Sequence, residues 1–362
     1  MRYIRISLVM VTFVLIAIGV VMIYSASSIY AWERLGSSAY FLKRHLMYLI
    51  LGLLVTLLSM SIDYRSLKNF VKPILLISFT LLVLVILPGI GSEIAGARRW
   101  FRLFGFSFQP SEFAKIAIIV YIADYLSRKE DIIKDFIRGF VPAMIVLGTF
   151  TLLILLQPDL GTAVSIVAVV ILMLFVAGTR LLHLGLVILF AIPTFYVLIL
   201  SAPYRMARIV AFLNPWADPK GSGFQIIQSQ IAIGSGGILG RGLGRGLQKL
   251  FYLPAAHTDF IFSIIAEELG LLGALSVVAL FIIFIWQSAR ICKNAVDSFG
   301  YYLSLGIFSM ISFEVIVNIG VSLGNLPTKG LPLPFISYGG SSLVFNMLSL
   351  GLLLNIARTK EI

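Results

Sequence analysis

The sequence predicts an all-α polytopic membrane protein with about ten transmembrane helices and one long extracytoplasmic loop. Three observations support this fold class. The 362 residues are 59% hydrophobic and only 12% charged, whereas a soluble domain usually carries about 25% charged residues. The mean hydropathy is +1.02. Many separate apolar runs approach the length that a helix needs to cross roughly 30 Å of hydrocarbon.

Ten apolar runs are the predicted spans of a single membrane domain that covers residues 1–362. The first follows Arg2 and Arg5 like a signal peptide, but its apolar run is too long for a typical h-region, so we expect a retained helix. The fourth is the least hydrophobic, because it holds Glu112, Lys115 and Asp124. The spans are 4–24, 46–61, 71–87, 111–127, 140–156, 162–177, 184–201, 259–287, 301–323 and 338–357.

Basic residues in the connections predict that both termini are cytoplasmic. With the N-terminus inside, the inside segments hold 14 Lys and Arg residues and the outside segments hold 13. Without the long 202–258 loop the count is 14 to 7, in agreement with the positive-inside rule. The remaining positive charge outside suggests that an anionic group is handled at the outer face.

The formal net charge of +12 indicates an anionic partner. Because the basic residues lie between apolar spans, we expect membrane lipids or an anionic lipid-borne substrate rather than nucleic acid. The single cysteine, Cys292, excludes an internal disulfide framework and a cysteine-based metal cage.

The 202–258 segment is the one long loop, and its composition favours an ordered functional element. It contains a turn cluster at 214–219, and a short interfacial helix is predicted at 224–230. Seven glycines follow between Gly234 and Gly246, without the spacing of a nucleotide-binding loop. Long loops in compact proteins are usually functional or disordered, and the mixture of aromatic, apolar and basic residues favours function here.

Asp259 stands where the long loop enters the eighth span, in the string HTDF at 257–260. One interpretation is a helix cap, since Thr or Asp at a helix start accepts orphan backbone donors. The other is a carboxylate at the outer mouth of a cavity, which accepts a proton from an attacking hydroxyl or binds a divalent cation. A first-turn position is expected to lower the pKa of this carboxylate and to weaken it as a base.

Three more ionisable residues are functional candidates, because charges in or beside a membrane are costly. Glu112 and Lys115 stand three residues apart on one helix face, after a predicted helix start. They form either a structural ion pair, which the spacing alone favours, or part of a polar cavity near the substrate. Asp159 lies in the predicted turn QPDLGT at 157–162, either as a turn or cap residue or as a second carboxylate that shares a metal ion with Asp259.

Arg98 and Arg99 form an outer-face basic pair beside an aromatic residue, in GARRW at 96–100. Anchoring at the membrane interface is the simpler interpretation. The functional one is a clamp for a diphosphate, since guanidinium groups match phosphate oxygens. In that case Arg205, Arg208 and Lys249 contribute in the same way.

Taken together, these strings resemble the SEDS family, the FtsW/RodA/SpoVE polymerases, over nearly the whole chain. Their shared order carries the resemblance, since no single string is decisive. The strings are YSASS at 24–28, GARRW at 96–100, QPSE at 109–112, QPDLGT at 157–162, NPW at 214–216, HTDF at 257–260, AEELG at 266–270 and PLPFISYGGSS at 332–342.

The resemblance implies ten helices around an outward-facing cavity and a glycosyltransferase that joins lipid II units and releases undecaprenyl diphosphate. It places the essential aspartate of the family on Asp259, and the paired acid and lysine of the fourth helix on Glu112 and Lys115. Mg²⁺ or Mn²⁺ is the expected cofactor, held by Asp259 and Asp159. The string LPTKGL at 326–331 resembles the division branch, FtsW, and the elongation branch, RodA, stays open.

The family further implies partners: lipid II, a class B penicillin-binding protein with transpeptidase activity, and other divisome or elongasome proteins. A lipid II flippase is the alternative function, since ten spans with intramembrane charges also suit a transporter. A scaffold that recruits division proteins is a third possibility. The candidate catalytic and binding residues concentrate on the predicted outer side of the membrane. This distribution favours the glycosyltransferase over a flippase, whose key charges should be reachable from both sides.

Overall fold

The computed structural model describes residues 1–94, 96–103 and 105–358. In these ranges it contains twelve α-helices and one small sheet. Lys360, one of the basic residues behind the orientation prediction, lies outside the described residues. The helices are α1 Arg2–Leu35, α2 Tyr40–Ser61, α3 Leu67–Ile86, α4 Pro110–Lys129, α5 Val141–Leu156, α6 Leu160–Val176, α7 Leu181–Leu200, α8 Pro203–Leu213, α9 Phe224–Ser235, α10 Ile261–Lys293, α11 Ser298–Ser322 and α12 Gly340–Arg358.

Ten of these helices coincide with the ten predicted spans. Within the described residues, eight helical segments are long and apolar enough to cross a membrane, which makes the chain a multi-pass membrane protein. The other two are α6, with 17 apolar residues, and α4, which carries the charges noted above. The all-α prediction is therefore confirmed.

Helix α4 lies inside the bundle, and this position explains how it tolerates charge. It packs against α3, α6 and α11, and most of its residues from Pro110 to Leu126 are buried. Its first turn has proline at the start, where a backbone donor is not needed. Protein side chains rather than lipid therefore surround its polar groups.

Helix α7 is the opposite case. Only 11% of the residues in its apolar stretch are buried inside the protein, against 78% for α12. Its exposed residues are large and apolar, so lipid covers most of α7. Helix α8 follows α7 after two residues and carries the basic side chains described below.

A small antiparallel sheet between α3 and α4 was not predicted. Its strands are β1 Ser92–Ile94, β2 Ala97–Leu103 and β3 Phe106–Phe108, in the order β1-β2-β3. The alternation of aromatic and polar residues around positions 100–108 is typical of a two-faced strand pair.

The 202–258 segment is ordered, as expected, but its second half is packed into the bundle. Helix α9 contacts α10 and α11. Ser229 on α9 donates to the Ser322 carbonyl at 2.6 Å and lies 2.6 Å from the Ser263 hydroxyl. The predicted interfacial helix is thus longer than expected and lies between two spanning helices.

Helix α10 is broken at Gly270, whose φ of +69° favours glycine. The glycine-rich segment fills this break. Backbone amides of Arg241 and Gly242 donate to the carbonyls of residues 267 and 268, at 3.0 Å each. In return, the amides of residues 271 and 272 donate to those of 237 and 238. A broken helix in a membrane needs such partners, because lipid offers none.

Candidate active site

A cavity of about 270 Å³ opens at the end of the bundle where α6 begins and α7 ends. We call this end the cavity end. Its walls are the start of α6, the last turns of α7, one face of α8, the segment before α10 and the 327–330 loop. The charged residues that line it are Arg99, Asp159, Arg205, Arg208, Asp259 and Lys329.

The backbone around Asp259 forms a tight turn. Ala255 adopts a left-handed φ of +56°. Its carbonyl accepts hydrogen bonds from the amides of Thr258, Asp259 and Phe260, at 3.1, 3.2 and 3.4 Å. These bonds close the turn immediately before α10.

Two polar side chains from other elements hold the same turn. Asn318, buried on α11, donates its side-chain amide to the carbonyls of Asp259, at 3.0 Å, and Leu331, at 2.8 Å. Ser337 donates its hydroxyl to the Thr258 carbonyl at 2.6 Å. Asn318 thus ties the Asp259 segment to the loop that forms the opposite wall of the cavity.

The Asp259 carboxylate is half-buried and has no hydrogen bond or ion pair within the part of the chain that the structure describes. Burial raises its pKa to about 6, against a smaller opposing effect of Arg208. The backbone of Gly330 lies close by, since a Cβ there would stand 3.5 Å from Asp259 Oδ2.

Two expectations for Asp259 were therefore wrong. Helix α10 begins at Ile261 with Phe260 as its N-cap, and the Asp259 side chain does not cap it. The carboxylate stands outside the first turn, so helix-end charge does not lower its pKa. Removal from water dominates instead and leaves a carboxylate that exchanges a proton close to neutral pH.

The structure confirms the cap interpretation of Asp159. It caps α6, accepting from the Thr162 amide at 3.2 Å and from the Thr162 hydroxyl at 2.9 Å. The Gln109 side-chain amide donates to Asp159 Oδ2, the oxygen that also accepts from the Thr162 hydroxyl, at 3.2 Å. Asp159 lines the cavity, but its oxygens are already engaged, unlike those of Asp259.

Arg98 and Arg99 point to opposite sides of β2, since neighbouring residues of a strand alternate. Arg99 donates to the carbonyls of Gln157 and Pro158, at 2.8 and 2.5 Å, and lines the cavity. Arg98 instead pairs with Glu93 at 3.2 Å, away from the cavity. The expected pairwise clamp is thus wrong for Arg98, because the strand was not recognised.

Arg205 and Arg208 stand three residues apart on α8 and reach the cavity together. Arg205 donates to the Leu198 carbonyl at 2.8 Å and to the Tyr204 hydroxyl at 2.9 Å. The guanidinium of Arg208 lies 5.9 Å from the centre of the Tyr204 ring. Neither arginine forms an ion pair with a described residue, so both charges are available to a ligand.

Lys329 is the cavity cation that the site prediction missed. It stands in the proline- and glycine-rich loop and lines the cavity between Thr328 and Gly330. Burial lowers its pKa, and none of the described carboxylates lies within ion-pair distance. A lysine in a rigid loop before the last span was the available signal.

Glu112 and Lys115 lie in the protein interior, outside this cavity. Lys115 Nζ is 2.9 Å from Glu112 and also contacts Glu314 of α11. The three side chains are buried. The structural ion pair is therefore the interpretation that the geometry favours. The Glu112–Lys115 ion pair is connected to the cavity only indirectly. Gln109, at the start of the same helix α4, contacts the cavity residue Asp159.

Lys249 also lies outside the cavity, contrary to its predicted role in binding the diphosphate. Its ammonium lies 2.6 Å from Glu268 and donates to Ser25 of α1 at 2.9 Å. Glu268 is fully buried and accepts a further bond from the Gly244 amide. The pair fastens the glycine-rich segment to α10, so Lys249 is not a substrate ligand in this structure.

The cavity thus joins four cationic side chains and two carboxylates, one of them without a partner. Such a set suits a ligand with two or more negative charges beside a hydroxyl that loses a proton. The described residues include no group of three side chains typical of a protein-only metal site.

Known proteins resemble this chain in sequence and in structure. The family described as Cell cycle protein, FtsW/RodA/SpoVE, matches residues 5–362. A relative from Geobacter metallireducens, named Probable peptidoglycan glycosyltransferase FtsW, is 49% identical over 94% of this chain and 90% of its own. Stage V sporulation protein E from Bacillus subtilis is 46% identical over 97% of this chain and 96% of its own.

Solved structures show the same fold. One is described as structural coordination of polymerization and crosslinking by a peptidoglycan synthase complex; its chain aligns with a TM-score of 0.78 and 35% identity, over 98% of this chain and 97% of that one. Rod shape determining protein RodA from Thermus thermophilus aligns with a TM-score of 0.73 and 30% identity, with the same coverage. The chain belongs to the FtsW/RodA/SpoVE family.

Proposed function

We propose that this chain is a peptidoglycan glycosyltransferase that polymerises lipid II into glycan strands, in cell division or cell-shape maintenance. The observation that carries the proposal is a carboxylate without a partner, Asp259, facing a cavity with four cationic side chains. The relatives named above as peptidoglycan glycosyltransferases support the same activity. The LPTKGL string at 326–331 favours the division branch.

In the proposed reaction a sugar hydroxyl of the acceptor attacks the anomeric carbon of the lipid-linked donor. Asp259 accepts the proton of that hydroxyl, the new glycosidic bond forms, and the bond to the diphosphate breaks. Undecaprenyl diphosphate leaves with the bonding electron pair. The attack comes from the face opposite the leaving group, so the configuration at the anomeric carbon inverts.

The cationic side chains stabilise the departing diphosphate, where negative charge develops. Arg99 and Arg205 are held by backbone carbonyls, so they need no rearrangement when the charge appears. Arg208 and Lys329 line the same cavity. A general base contributes about 10²–10⁴-fold and a fixed charge donor about 10²–10³-fold to the rate of such a reaction.

The site fits a divalent cation that is bound jointly by the protein and by the diphosphate of the substrate. Mg²⁺ is usually held by one or two carboxylates together with substrate phosphates. Asp259 has free oxygens for this, whereas those of Asp159 already accept hydrogen bonds. The cation, when bound, neutralises diphosphate charge. Asp259 is then its principal protein ligand and Asp159 a weaker one.

The proposed activity sets the orientation of the chain. The cavity end faces the periplasm, both termini are cytoplasmic, and the chain lies in the bacterial inner membrane. The lipid tails of donor and product stay in the bilayer beside α7, whose surface is covered by lipid. A class B penicillin-binding protein is the proposed partner, supported by a structural neighbour from a complex that couples polymerization with crosslinking.

A reconstituted polymerisation assay tests this function. Liposomes that hold the protein and its proposed transpeptidase partner receive labelled lipid II and Mg²⁺ or Mn²⁺. Glycan chains should form, and Asp259→Asn should slow their formation by about 10³-fold. The matched control is Asp218→Asn, an exposed carboxylate of the same loop outside the cavity.

Two outcomes contradict the proposal. If a folded Asp259→Asn protein polymerises lipid II at the wild-type rate, Asp259 is not the general base. Translocation of labelled lipid II across the vesicle membrane, without any lengthening of glycan, identifies a flippase instead.

A further inference from the structure

Five ring side chains form a separate group at the cavity end. They come from the last turns of α1, the first turn of α2, the long loop and the segment before α12. The rings of Phe41 and His257 are tilted against each other with centres 4.5 Å apart, those of Phe41 and Tyr338 lie 5.2 Å apart edge to face, and those of Tyr30 and Phe251 lie 6.0 Å apart. We call this group, Tyr30, Phe41, Phe251, His257 and Tyr338, the aromatic shelf.

The aromatic shelf is joined to the reacting carboxylate through one short segment. His257 precedes Asp259 by two residues, which limits their Cα atoms to about 7 Å. The His257 carbonyl accepts the Tyr338 amide at 2.9 Å. Asp259 lines the cavity, whereas no member of the aromatic shelf does. The 257–259 segment therefore carries a shelf residue at one end and the proposed base at the other.

The aromatic shelf presents apolar rings to its surroundings. Tyr30 is 40% exposed and Phe251 is 44% exposed. Phe251 also adopts a left-handed φ of +67°, which is unfavourable for a residue with a side chain. Backbone strain of this kind concentrates at functional sites. At Phe251 the strained backbone carries an exposed aromatic ring.

A lipid-facing aromatic belt does not account for this arrangement. Belt residues such as Trp32, which is 65% exposed, lie singly at the membrane interface. Trp32 has no ring contact with another described aromatic residue. The shelf rings instead pack on one another across four chain segments.

Two arginines border the aromatic shelf. Arg34 follows Tyr30 by four residues on α1, and Arg44 follows Phe41 by three on α2, spacings that place each pair on one helix face. Arg44 also lies over the ring of Tyr40, at 5.6 Å. The negative face of an aromatic ring attracts the C–H groups of a sugar, and guanidinium groups bind carboxylates.

We infer that the aromatic shelf binds the acceptor saccharide, a chain of amino sugars that carries carboxylate substituents. This inference rests on the proposed function and adds where the second substrate lies. The donor diphosphate occupies the cationic cavity, the acceptor sugars lie on the shelf rings, and Asp259 stands between them, within reach of the acceptor hydroxyl.

Phe251→Gly is the most informative variant. Glycine adopts a φ of +67° without strain, so the backbone keeps its conformation and folding is not at risk. The ring alone is lost. Phe251→Trp restores an aromatic face, and Trp32→Ala removes an exposed aromatic residue that is not part of the shelf.

Binding is measured without catalysis. Protein in detergent, with Asp259→Asn as background, is titrated with a lipid-free tetrasaccharide of alternating N-acetylglucosamine and N-acetylmuramic acid, and saturation-transfer NMR reports the contact. Phe251→Gly and Tyr30→Ala should each weaken binding about fivefold to tenfold. Phe251→Trp and Trp32→Ala should stay within about twofold of the background protein.

Unchanged binding in both Phe251→Gly and Tyr30→Ala overturns the inference. Equal weakening by Trp32→Ala also overturns it, since any exposed ring would then suffice. Because this assay needs no turnover, its failure is separate from a failure of the proposed function, which the polymerisation assay reports. In that assay shelf variants should give shorter glycan chains from the same lipid II.

Discussion

This protein contains two kinds of charged site, one in the interior and one in the cavity, and they differ in how their charges are paired. In the interior, Lys249 lies 2.6 Å from Glu268, and Lys115 lies 2.9 Å from Glu112 and also contacts Glu314. In the cavity, Asp259 has no described partner. The comparison teaches that pairing, rather than residue type, separates the structural charges from those available to a substrate.

The physical reason is solvation. A charge removed from water needs a partner at close range, because desolvation costs several kcal/mol per ion. The interior sites provide one. The cavity is open and polar, so its cations keep water or carbonyl contacts and retain their attraction for an anionic ligand. Their arrangement is prepared before the ligand arrives.

Removing one partner of the buried Lys249–Glu268 ion pair should have the largest effect on stability. Lys249→Met leaves Glu268 charged and buried, so we expect a loss of about 3–5 kcal/mol in the free energy of unfolding. Lys249→Met combined with Glu268→Gln should recover most of it. Arg208→Ala, an exposed cavity cation, should change stability by about 0.5 kcal/mol. Unfolding by SDS titration measures all three, and equal losses would remove the distinction between the two sites.

Arg98 and Arg99, neighbours on β2, allow the same comparison of paired and available charges to be made for catalysis. Arg99→Ala should lower the polymerisation rate about 10²-fold, since a fixed cation is lost from the diphosphate site. Arg98→Ala should change it by about twofold at most, because Arg98 pairs with Glu93 outside the cavity. Initial rates with labelled lipid II measure the difference. Similar losses for both variants would mean that the two residues act as the clamp first expected.

Asn318 should have a smaller, positional effect. Asn318→Leu removes the hydrogen bonds to the Asp259 and Leu331 carbonyls, and displacement of the base should lower kcat about tenfold. The KM for lipid II should change little, since Asn318 does not line the cavity. A rise in KM without a fall in kcat would show that Asn318 acts on substrate binding instead.

Much of this fold follows from hydropathy, because each spanning helix is a local pattern. The ten predicted spans all correspond to helices, including α4 with its charges. The small sheet was missed because its strands are only three to seven residues long. That omission had a direct consequence, since strand alternation separates Arg98 from Arg99.

Parts of the site depend on contacts between distant residues and could not be read from local pattern. Ser25 and Glu268 are 243 positions apart, yet they share a hydrogen bond. The prediction that Lys249 binds a diphosphate fails because its partners, Glu268 and Ser25, come together with it only in the folded chain. The family resemblance and the turn motifs pointed to Asp259 and Asp159, and both residues line the cavity because each precedes a helix that begins at the cavity end.

The pH dependence of single-turnover polymerisation tests the central claim most directly. Asp259 must be ionised to accept a proton, and burial raises its pKa to about 6. The rate should therefore be constant above neutral pH and fall about tenfold per pH unit in acid, below about 6 without a divalent cation and from a lower pH when a cation is bound to Asp259. The slow residual reaction of Asp259→Asn should lack this break. A break near 6 that persists in Asp259→Asn, or a wild-type rate that does not fall in acid, would contradict the assignment of Asp259 as the base.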